Sequence, residues 1–192
     1  MEHQEQAAKT DDEEKRKQEL KEIDEKVEKL MKEKNYLEAV PIIEDLIKKQ
    51  TSLLGENHEN TLASMHELAN CWKKEKDYAK AILIFEKVVK KRILKLGNNH
   101  RDTLTSMKGL AFCFKELKAF PKAISIYEEL STRQIFTLGE NSIERIAHMN
   151  SLAICWAEQK EYGKAKVHLR YGKSLFQHNT FLFCVKKVCK SF

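Results

Sequence analysis

A repeat of 42 residues constrains the fold of this chain more than any other feature of its sequence. Leu-Gly pairs recur at Leu54-Gly55, Leu96-Gly97 and Leu138-Gly139. The units that begin at the first two pairs share 19 identical positions, and the third unit keeps the same pattern more weakly. Periods of this length are typical of solenoids, in which each repeat buries its apolar side against its neighbours.

Each unit contains two stretches with the apolar spacing of an amphipathic helix. In the first unit, Leu62, Met65 and Trp72 mark helix A, and Tyr78 and Ala81 begin helix B. We therefore expect an all-α fold, an αα-superhelix of three helical hairpins preceded by an N-terminal partial hairpin. Small residues are expected where two helices cross, with aromatic residues around them. The predicted core positions are Met65, Leu68, Ala69, Trp72, Tyr78, Ala81, Met107, Leu110, Ala111, Phe114, Phe120, Ala123, Met149, Leu152, Ala153, Trp156, Tyr162 and Ala165.

The repeat also predicts how the chain is divided. The expected segments are a charged N-terminal stretch at 1–19 that is disordered or a frayed helix, a degenerate partial repeat at 20–53, complete repeats at 54–95, 96–137 and 138–179, and a basic, aromatic tail at 180–192. Three interpretations of the tail stay open. It caps the last hairpin, forms a basic patch for a membrane surface, or marks the truncated end of a longer array.

The ends of the helices carry their own signals. The Gly of each Leu-Gly pair is expected just past the end of helix B, because glycine tolerates the backbone conformation found there. Asn residues recur two positions later, where a side chain that caps the next helix A is useful. These residues are Asn57, Asn99 and Asn141.

Composition restricts the class of protein. No apolar stretch approaches the ~20 residues needed to span a bilayer, and the polar N-terminus lacks the apolar core of a secretory signal. The five cysteines, none in a C-x-x-C pair, are typical of a reduced intracellular protein. The net charge of +6 arises at the C-terminal end, because no acidic residue follows Glu161. We expect a cytoplasmic protein.

The sequence predicts no catalytic residues, no metal site and no cofactor. Phosphate-binding loops, zinc-protease motifs and nucleophile elbows are absent. Cys71, Cys113 and Cys155 recur once per repeat, which favours small buried residues beside aromatic ones over a metal or redox role. His58 and His100 also recur, without a Cys or carboxylate at metal-ligand spacing, and contacts at the helix starts are expected instead.

These units resemble the tetratricopeptide repeat. The resemblance rests on Met65, Leu68-Ala69, Trp72, Ala81 and Phe85. The 42-residue period and the L-G-x-x-H-x-x-T-L run at 54–62 and 96–104 are similar to the longer repeats of kinesin light chains. The resemblance covers residues 36–178. It implies a non-catalytic protein that binds peptides or partner domains in a groove lined by the A helices, and an association with the cytoskeleton or the cilium.

The sequence departs from the family pattern at three places. The Pro that usually follows the His of the run is replaced by Glu59, Arg101 and Ile143, and Ser142 replaces the third His. The groove Asn of the family is replaced by Glu67, Gly109 and Ser151. The carboxylate clamp of chaperone-binding members has a match at Asn70, but its basic pair falls on Ala147 and Ser151.

If the A helices line a groove as in the family, their exposed side lies one residue beyond the core stripe, about 100° round the helix. The candidate partner-binding residues on that side are His66, Asn70, Lys73, Lys108, Phe112, Lys115, Asn150 and Ile154. Amide and lysine side chains suit an extended acidic peptide, because they bond its backbone and neutralise its carboxylates. The alternative is an ordinary solvated helix surface.

The expected function is therefore a non-catalytic scaffold or adaptor that binds a peptide or helix in the concave groove. RNA binding in a helical-repeat groove is the alternative. RNA needs a continuous basic channel with stacking aromatic residues. Because Glu67, Glu116 and Glu158 interrupt the A helices, nucleic acid is the less favoured partner. The oligomeric state stays open.

Overall fold

Long α-helices separated by short turns make up the part of the chain that the computed structural model describes. It describes the backbone of residues 2–138 and 143–173, and the side chains of 14–133 and 147–168. Within these ranges there is no strand, and the prediction of an all-α fold of helical hairpins is confirmed. The helices are α1 (Glu2–Lys32), α2 (Tyr36–Leu54), α3 (Glu59–Lys74), α4 (Tyr78–Leu96), α5 (Arg101–Glu116), α6 (Phe120–Leu138), α7 (Ile143–Glu158) and α8 (Tyr162–Lys173).

The same tight turn joins the two helices of every hairpin. A lysine with positive φ follows each A helix, at Lys34, Lys76, Lys118 and Lys160, with φ between 59° and 64°. The N–H of the next residue donates to a carbonyl five residues earlier, as from Asp77 to Trp72 at 2.9 Å. This hydrogen bond satisfies a carbonyl that the end of the helix leaves without a partner. The α1–α2 pair is thus a hairpin of the same kind as the three that follow it.

The N-terminal segment 1–19 shares one helix with the residues after it, because α1 begins at Glu2. Its Lys, Glu, Gln and Ala residues are good helix formers. Bonds between side chains four residues apart, such as Gln18 to Glu22 at 3.2 Å and Lys32 to Glu28 at 3.3 Å, add to this preference. The tail at 180–192 lies outside the described residues.

The L-G-x-x-H-x-x-T-L run forms the connection from a B helix to the next A helix. Gly55 and Gly97 follow the B helices with φ of 94° and 89°, as expected of glycine in this place. His58 caps α3, since its Nδ1 accepts from the N–H of Asn60 at 3.2 Å. Thr61 donates to the carbonyl of Gly55 at 2.9 Å and fixes the loop.

The second repeat builds the same connection with His100 as the cap and a Thr103 bond to Gly97 of 3.0 Å. The expectation that Asn57 and Asn99 cap these helices is wrong by one residue, because the imidazole supplies the acceptor. Asn141 lies outside the described residues. The recurring histidines therefore have a structural role at the helix starts.

The chain forms two compact units, which divide within α4. The first, Met1–Ile84, packs α1 on α2 and α2 on α3. Its core consists of Val27, Ala39, Val40, Ile43, Leu68 and Cys71. Partly buried Leu30, Tyr36 and Trp72 pack against that core. Burial of these apolar side chains is the main source of its stability.

The second unit, Phe85–Phe192, packs α5 on α6, α6 on α7 and α7 on α8. The alanines predicted at its helix crossings are enclosed: Ala111, Ala123 and Ala165 are 0% exposed and Ala153 is 1% exposed. A side chain without atoms beyond Cβ lets two helices approach closely where they cross.

A lysine from each of α4, α6 and α8 covers the aromatic residue at the end of the preceding A helix. The distance from Nζ to the ring centroid is 3.9 Å for Lys80 over Trp72 and 4.3 Å for Lys164 over Trp156. The same pairing joins Lys122 to Phe114 at 5.1 Å. The aromatic residues therefore lie at the border of the core, where a cation replaces part of their contact with water.

Burial varies among the positions predicted to form the core. Buried residues are Leu68, Ala69, Ala81, Met107, Leu110, Ala111, Phe114, Ala123, Met149, Leu152, Ala153 and Ala165. Half-buried residues are Met65, Trp72, Tyr78, Phe120, Trp156 and Tyr162. The half-buried set is mostly aromatic, because those rings lie beside the turns rather than between the helices.

Candidate functional site

The exposed side of α5 presents two lysines on either side of an aromatic ring. Lys108 is exposed, and Phe112 and Lys115 are half-buried. Because they are seven residues apart, the two lysines lie two turns apart, about 10 Å along the helix axis. Lys115 Nζ lies 4.9 Å from the Phe112 ring centroid and 3.1 Å from a Glu116 carboxylate oxygen.

Two predicted residues of α7, Asn150 and Ile154, are half-buried. Ile154 packs beside Ala157 and Tyr162 on the Ala153 core. The Asn150 Oδ1 atom is buried and has no hydrogen-bond partner among the described residues. This part of α7 thus combines an apolar contact with an amide.

The lysines of α5 act electrostatically on side chains of α7. The pKa of His148 falls to about 4, mainly because the imidazole is buried and also because Lys108 repels its proton. The pKa of the Cys155 thiol rises to about 11 because of burial, while the nearby Lys115 acts in the opposite direction. The lysines of α5 are therefore within electrostatic reach of α7. The five residues Lys108, Phe112, Lys115, Asn150 and Ile154 are called the α5–α7 surface below.

The predicted residues on α3, in the other unit, form a separate group. His66 is only 8% exposed, so its assignment to the exposed side of the helix is wrong. The buried stripe of α3 is wider than the apolar spacing indicates, since Ser64 is also 8% exposed. Asn70 and Lys73 are half-buried, and Lys73 donates to Asn70 Oδ1 at 2.6 Å. The amide of Asn70 lies 3.5 Å from the Glu67 carboxylate, so these three side chains form one polar chain along the helix.

Gly109 stands where the resemblance places a groove Asn, and here it makes a packing contact. A Cβ atom at Gly109 would lie 2.6 Å from Cζ of the Phe85 ring and 2.8 Å from its Cε1. Phe85 is 0% exposed. The ring of α4 therefore occupies the space that a side chain at this position of α5 would need.

The equivalent position one repeat later, Ser151, also contacts the preceding B helix. Tyr127, which stands 42 residues after Phe85, is buried and hydrogen-bonded to the Ser151 side chain. Ser151 donates its own proton to the Ala147 carbonyl at 3.0 Å, so its oxygen accepts from the Tyr127 hydroxyl. Burial raises the pKa of Tyr127 well above its usual range, and the phenol stays protonated. Phe85–Gly109 and Tyr127–Ser151 are matched pairs.

The apolar pattern alone does not reveal these pairs. Phe85 and Tyr127 belong to the predicted B helices, and their partners follow 24 residues later in both repeats. Phenylalanine with glycine in one repeat and tyrosine with serine in the next is the signal that could have revealed the contact. His148, 6.0 Å from the Tyr127 ring, belongs to the same neighbourhood and was not singled out by its spacing.

The repeated cysteines occupy the core. Cys71, Cys113 and Cys155 are each 0% exposed. Burial is the main cause that raises the pKa of Cys71 to about 11. Since the thiolate is the reactive form, these side chains are poor nucleophiles. Within the described ranges, no group of three His, Cys, Asp or Glu side chains could hold a metal ion.

The helices were also assessed as membrane spans. Of those in the described residues, none combines the length and the apolar character needed to cross a bilayer.

Comparison with known proteins gives one match in sequence. Residues 61–102 match the family profile described as the tetratricopeptide repeat, a stretch of one 42-residue period. Among curated proteins there is no significant match.

Solved structures with the same fold include two kinds of kinesin-light-chain-like protein. A kinesin-light-chain-like protein of Podosopora anserina with nearly identical TPR-like repeats is similar with a TM-score of 0.75 at 23% identity, over 90% of this chain and 85% of that one. A single-residue variant of that protein gives a TM-score of 0.74 at 21% identity, over 90% and 84%.

BtubC (BKLC) from P. vanneervenii gives a TM-score of 0.76 at 17% identity, over 89% of this chain and 72% of that one. At these identities the likeness establishes the fold. Residues 61–102 thus resemble the tetratricopeptide repeat, and the described helices share the fold of kinesin-light-chain-like repeat structures.

Proposed function

We propose that this protein is a non-catalytic scaffold, as tetratricopeptide repeat proteins generally are, and that it binds an extended acidic peptide on the α5–α7 surface. The observation that carries the proposal is the placement of Lys108 and Lys115 on either side of Phe112. Two cations and an aromatic ring on one side of a helix suit a peptide with carboxylates next to an apolar residue.

The spacing of the lysines fits an extended ligand. About 10 Å along α5 corresponds to roughly three residues of extended chain. A peptide that crosses this surface can therefore place one carboxylate near each ammonium group and an apolar side chain over the Phe112 ring between them.

The α7 residues complete the proposed contact. Ile154 extends the apolar part of the surface beside Ala157. Asn150 is half-buried with its Oδ1 atom enclosed, so its amide N–H groups are the part that can donate to a peptide backbone. Glu116 beside Lys115 limits the net positive charge, which favours a short acidic segment over a nucleic-acid backbone.

The test is binding of a library of short fluorescent acidic peptides, with and without a central aromatic or leucine residue, measured by anisotropy. The wild-type protein should bind a subset, and K108E/K115E should weaken that binding at least ~tenfold. Affinity should fall with salt, because the charge of the exposed Lys108 is screened by dissolved ions. The free energy of unfolding of K108E/K115E should change by less than about 1 kcal/mol, since the Lys115–Glu116 pair is partly exposed.

The matched control is K26E/K29E, which makes the same charge change at exposed positions of α1. It should retain peptide binding. An equal loss of peptide affinity in both variants would show that only net charge matters and would contradict the proposed site. The wild-type protein could instead bind single-stranded RNA more tightly than every acidic peptide and lose that binding in K108E/K115E. This result would identify the surface as a nucleic-acid site.

A further inference from the structure

The C-terminal half of α4 carries a dense basic surface with an exposed leucine at its centre. Lys87, Lys90 and Lys95 are exposed and Lys91 is half-buried, while Leu94 is 80% exposed. At 100° per residue these five side chains fall within an arc of about 140° on one side of the helix. They are called the α4 surface below. The opposite side of the same turns is buried through Phe85 and Val88, so the surface belongs to a helix that is fixed in the core.

The helices α2 and α6 do not carry this cluster of lysines. At the positions equivalent to the four lysines, α2 has Asp45, Lys48, Lys49 and Leu53, and α6 has Glu129, Thr132, Arg133 and Thr137. The charges of these sets sum to +1 in α2 and to zero in α6, against +4 in α4. Leu94 is replaced by Ser52 in α2, whereas α6 has the apolar Phe136 at this position. The repeat architecture therefore does not require the four lysines of the α4 surface.

Lysines near the C-terminal end of a helix have a structural effect, since they interact favourably with the helix dipole. That effect is confined to the last turn and needs one or two charges. It accounts for Lys95 but not for Lys87, and it gives no reason to expose a leucine among the lysines.

We propose that the α4 surface docks this protein on an anionic lipid surface, with the lysines at the headgroups and Leu94 inserted among them. Charge complementarity selects an anionic partner. The exposed Leu94 selects lipid, because a deformable headgroup layer can receive a projecting apolar side chain without a preformed pocket.

Nucleic acid fits the α4 surface less well, because none of its five residues is an aromatic side chain on which bases could stack. The attachment would be peripheral, since the apolar side of α4 stays in the protein core.

The test uses the full chain and sedimentation with phosphatidylcholine vesicles in which phosphatidylserine makes up about a third of the lipid. Each engaged lysine adds about fivefold in affinity to such a surface, so K87Q/K90Q/K91Q/K95Q should lower binding at least tenfold. L94Q should lower it about threefold or more, because leucine loses its apolar contact. Pure phosphatidylcholine vesicles should not bind the wild-type protein.

The matched control, K15Q/K21Q/K26Q/K29Q, removes the same charge from exposed lysines of α1 and should bind within twofold of wild type. All variants should melt like wild type, which excludes unfolding as the cause. Equal weakening by both quadruple variants, or unchanged binding after removal of the α4 lysines, would overturn the proposal. So would binding to poly-L-glutamate that requires the α4 lysines while L94Q has no effect on vesicles, since the surface would then serve an acidic protein.

Discussion

The junction between α4 and α5 and the junction between α6 and α7 occupy equivalent places in the repeat but are held together differently. At the first, the Phe85 ring lies against Gly109. At the second, Tyr127 bonds Ser151 and lies 6.0 Å from His148. One junction matches shapes and the other pairs polar groups, although both rings are buried.

The two junctions also differ in the polar residue that lies next to this contact. His148 corresponds to Ser106 of the earlier repeat. Ser106 accepts from Arg92 at 2.8 Å, and Arg92 also donates to the Asp102 carbonyl at 2.8 Å. The α4–α5 junction thus contains a buried cation, Arg92, whereas the α6–α7 junction contains the neutral imidazole of His148.

The two junctions indicate which positions of the A helices can contact a ligand. Positions 109 and 151 correspond to the groove Asn of the resembling family, yet both contact the preceding B helix. A position that packs against the preceding B helix is not available to a ligand. The proposed peptide site therefore uses the neighbouring positions Lys108 and Phe112.

The largest change in stability should come from removing the ring at the first junction. Phe85→Ala should destabilise the protein by about 3–5 kcal/mol, because it removes a fully buried ring and leaves a cavity. Urea unfolding followed by circular dichroism measures this change. Leu94→Ala on the same helix should cost well under about 1 kcal/mol, since Leu94 is 80% exposed. Equal costs would mean that the ring does not hold the junction.

Acid should weaken the second junction through His148. The folded state holds the pKa of His148 at about 4, below the ordinary value of 6.5, so the unfolded chain takes up the proton first as pH falls. The stability tied to the neutral imidazole is complete above about pH 6.5 and is lost towards pH 4.

From pH 7 to pH 5 this loss should reach about 2 kcal/mol. Urea unfolding at the two pH values should show it in wild type and much less of it in His148→Ser, which installs the residue of the first junction. The same pH dependence in both proteins would assign the effect to other groups.

A smaller effect is expected from the Tyr127 hydroxyl. Tyr127→Phe should cost about 1 kcal/mol, because one buried hydrogen bond is lost while Ser151 keeps its bond to Ala147. Differential unfolding against wild type measures it. No loss in Tyr127→Phe would show that shape alone holds the second junction, as at the first.

The smallest effect concerns the turn between α5 and α6, which has the same form in every hairpin. Lys118 has φ of 59°, a conformation that costs a lysine more than a glycine. Lys118→Gly should change stability by less than about 1 kcal/mol, in the stabilising direction. Thermal melts of this variant, alone and combined with Tyr127→Phe, should be additive, because the turn and the second junction are separate. Strong coupling would show that the turn sets the geometry of the junction.

Much of the fold could be predicted from the sequence, because every hairpin repeats the same physical problem. The 42-residue period, the alanines at crossings and the glycines after B helices each require one residue type at one place. The capping residue was missed because Asn is the commoner cap, and only the structure places the His58 imidazole at the N–H of Asn60.

The candidate site was harder to predict, because exposure depends on neighbouring helices. A shift of one residue from the apolar stripe gave an exposed Lys108 but also a buried His66. Whether a polar residue beside the stripe is covered depends on the width of the helix contact, which periodicity does not report.

The central claim is that position 109 is a packing partner of Phe85, and a double-mutant cycle in urea tests it most directly. Gly109→Ala in the wild type should cost about 1–3 kcal/mol, because its Cβ would lie 2.6 Å from the ring. In the Phe85→Leu background the same change should cost nothing or stabilise by up to about 1 kcal/mol, since alanine is the better helix former. A coupling energy of at least about 1 kcal/mol is therefore predicted. If Gly109→Ala costs the same in both backgrounds, the two residues are not matched, and position 109 returns to the candidates for partner contact.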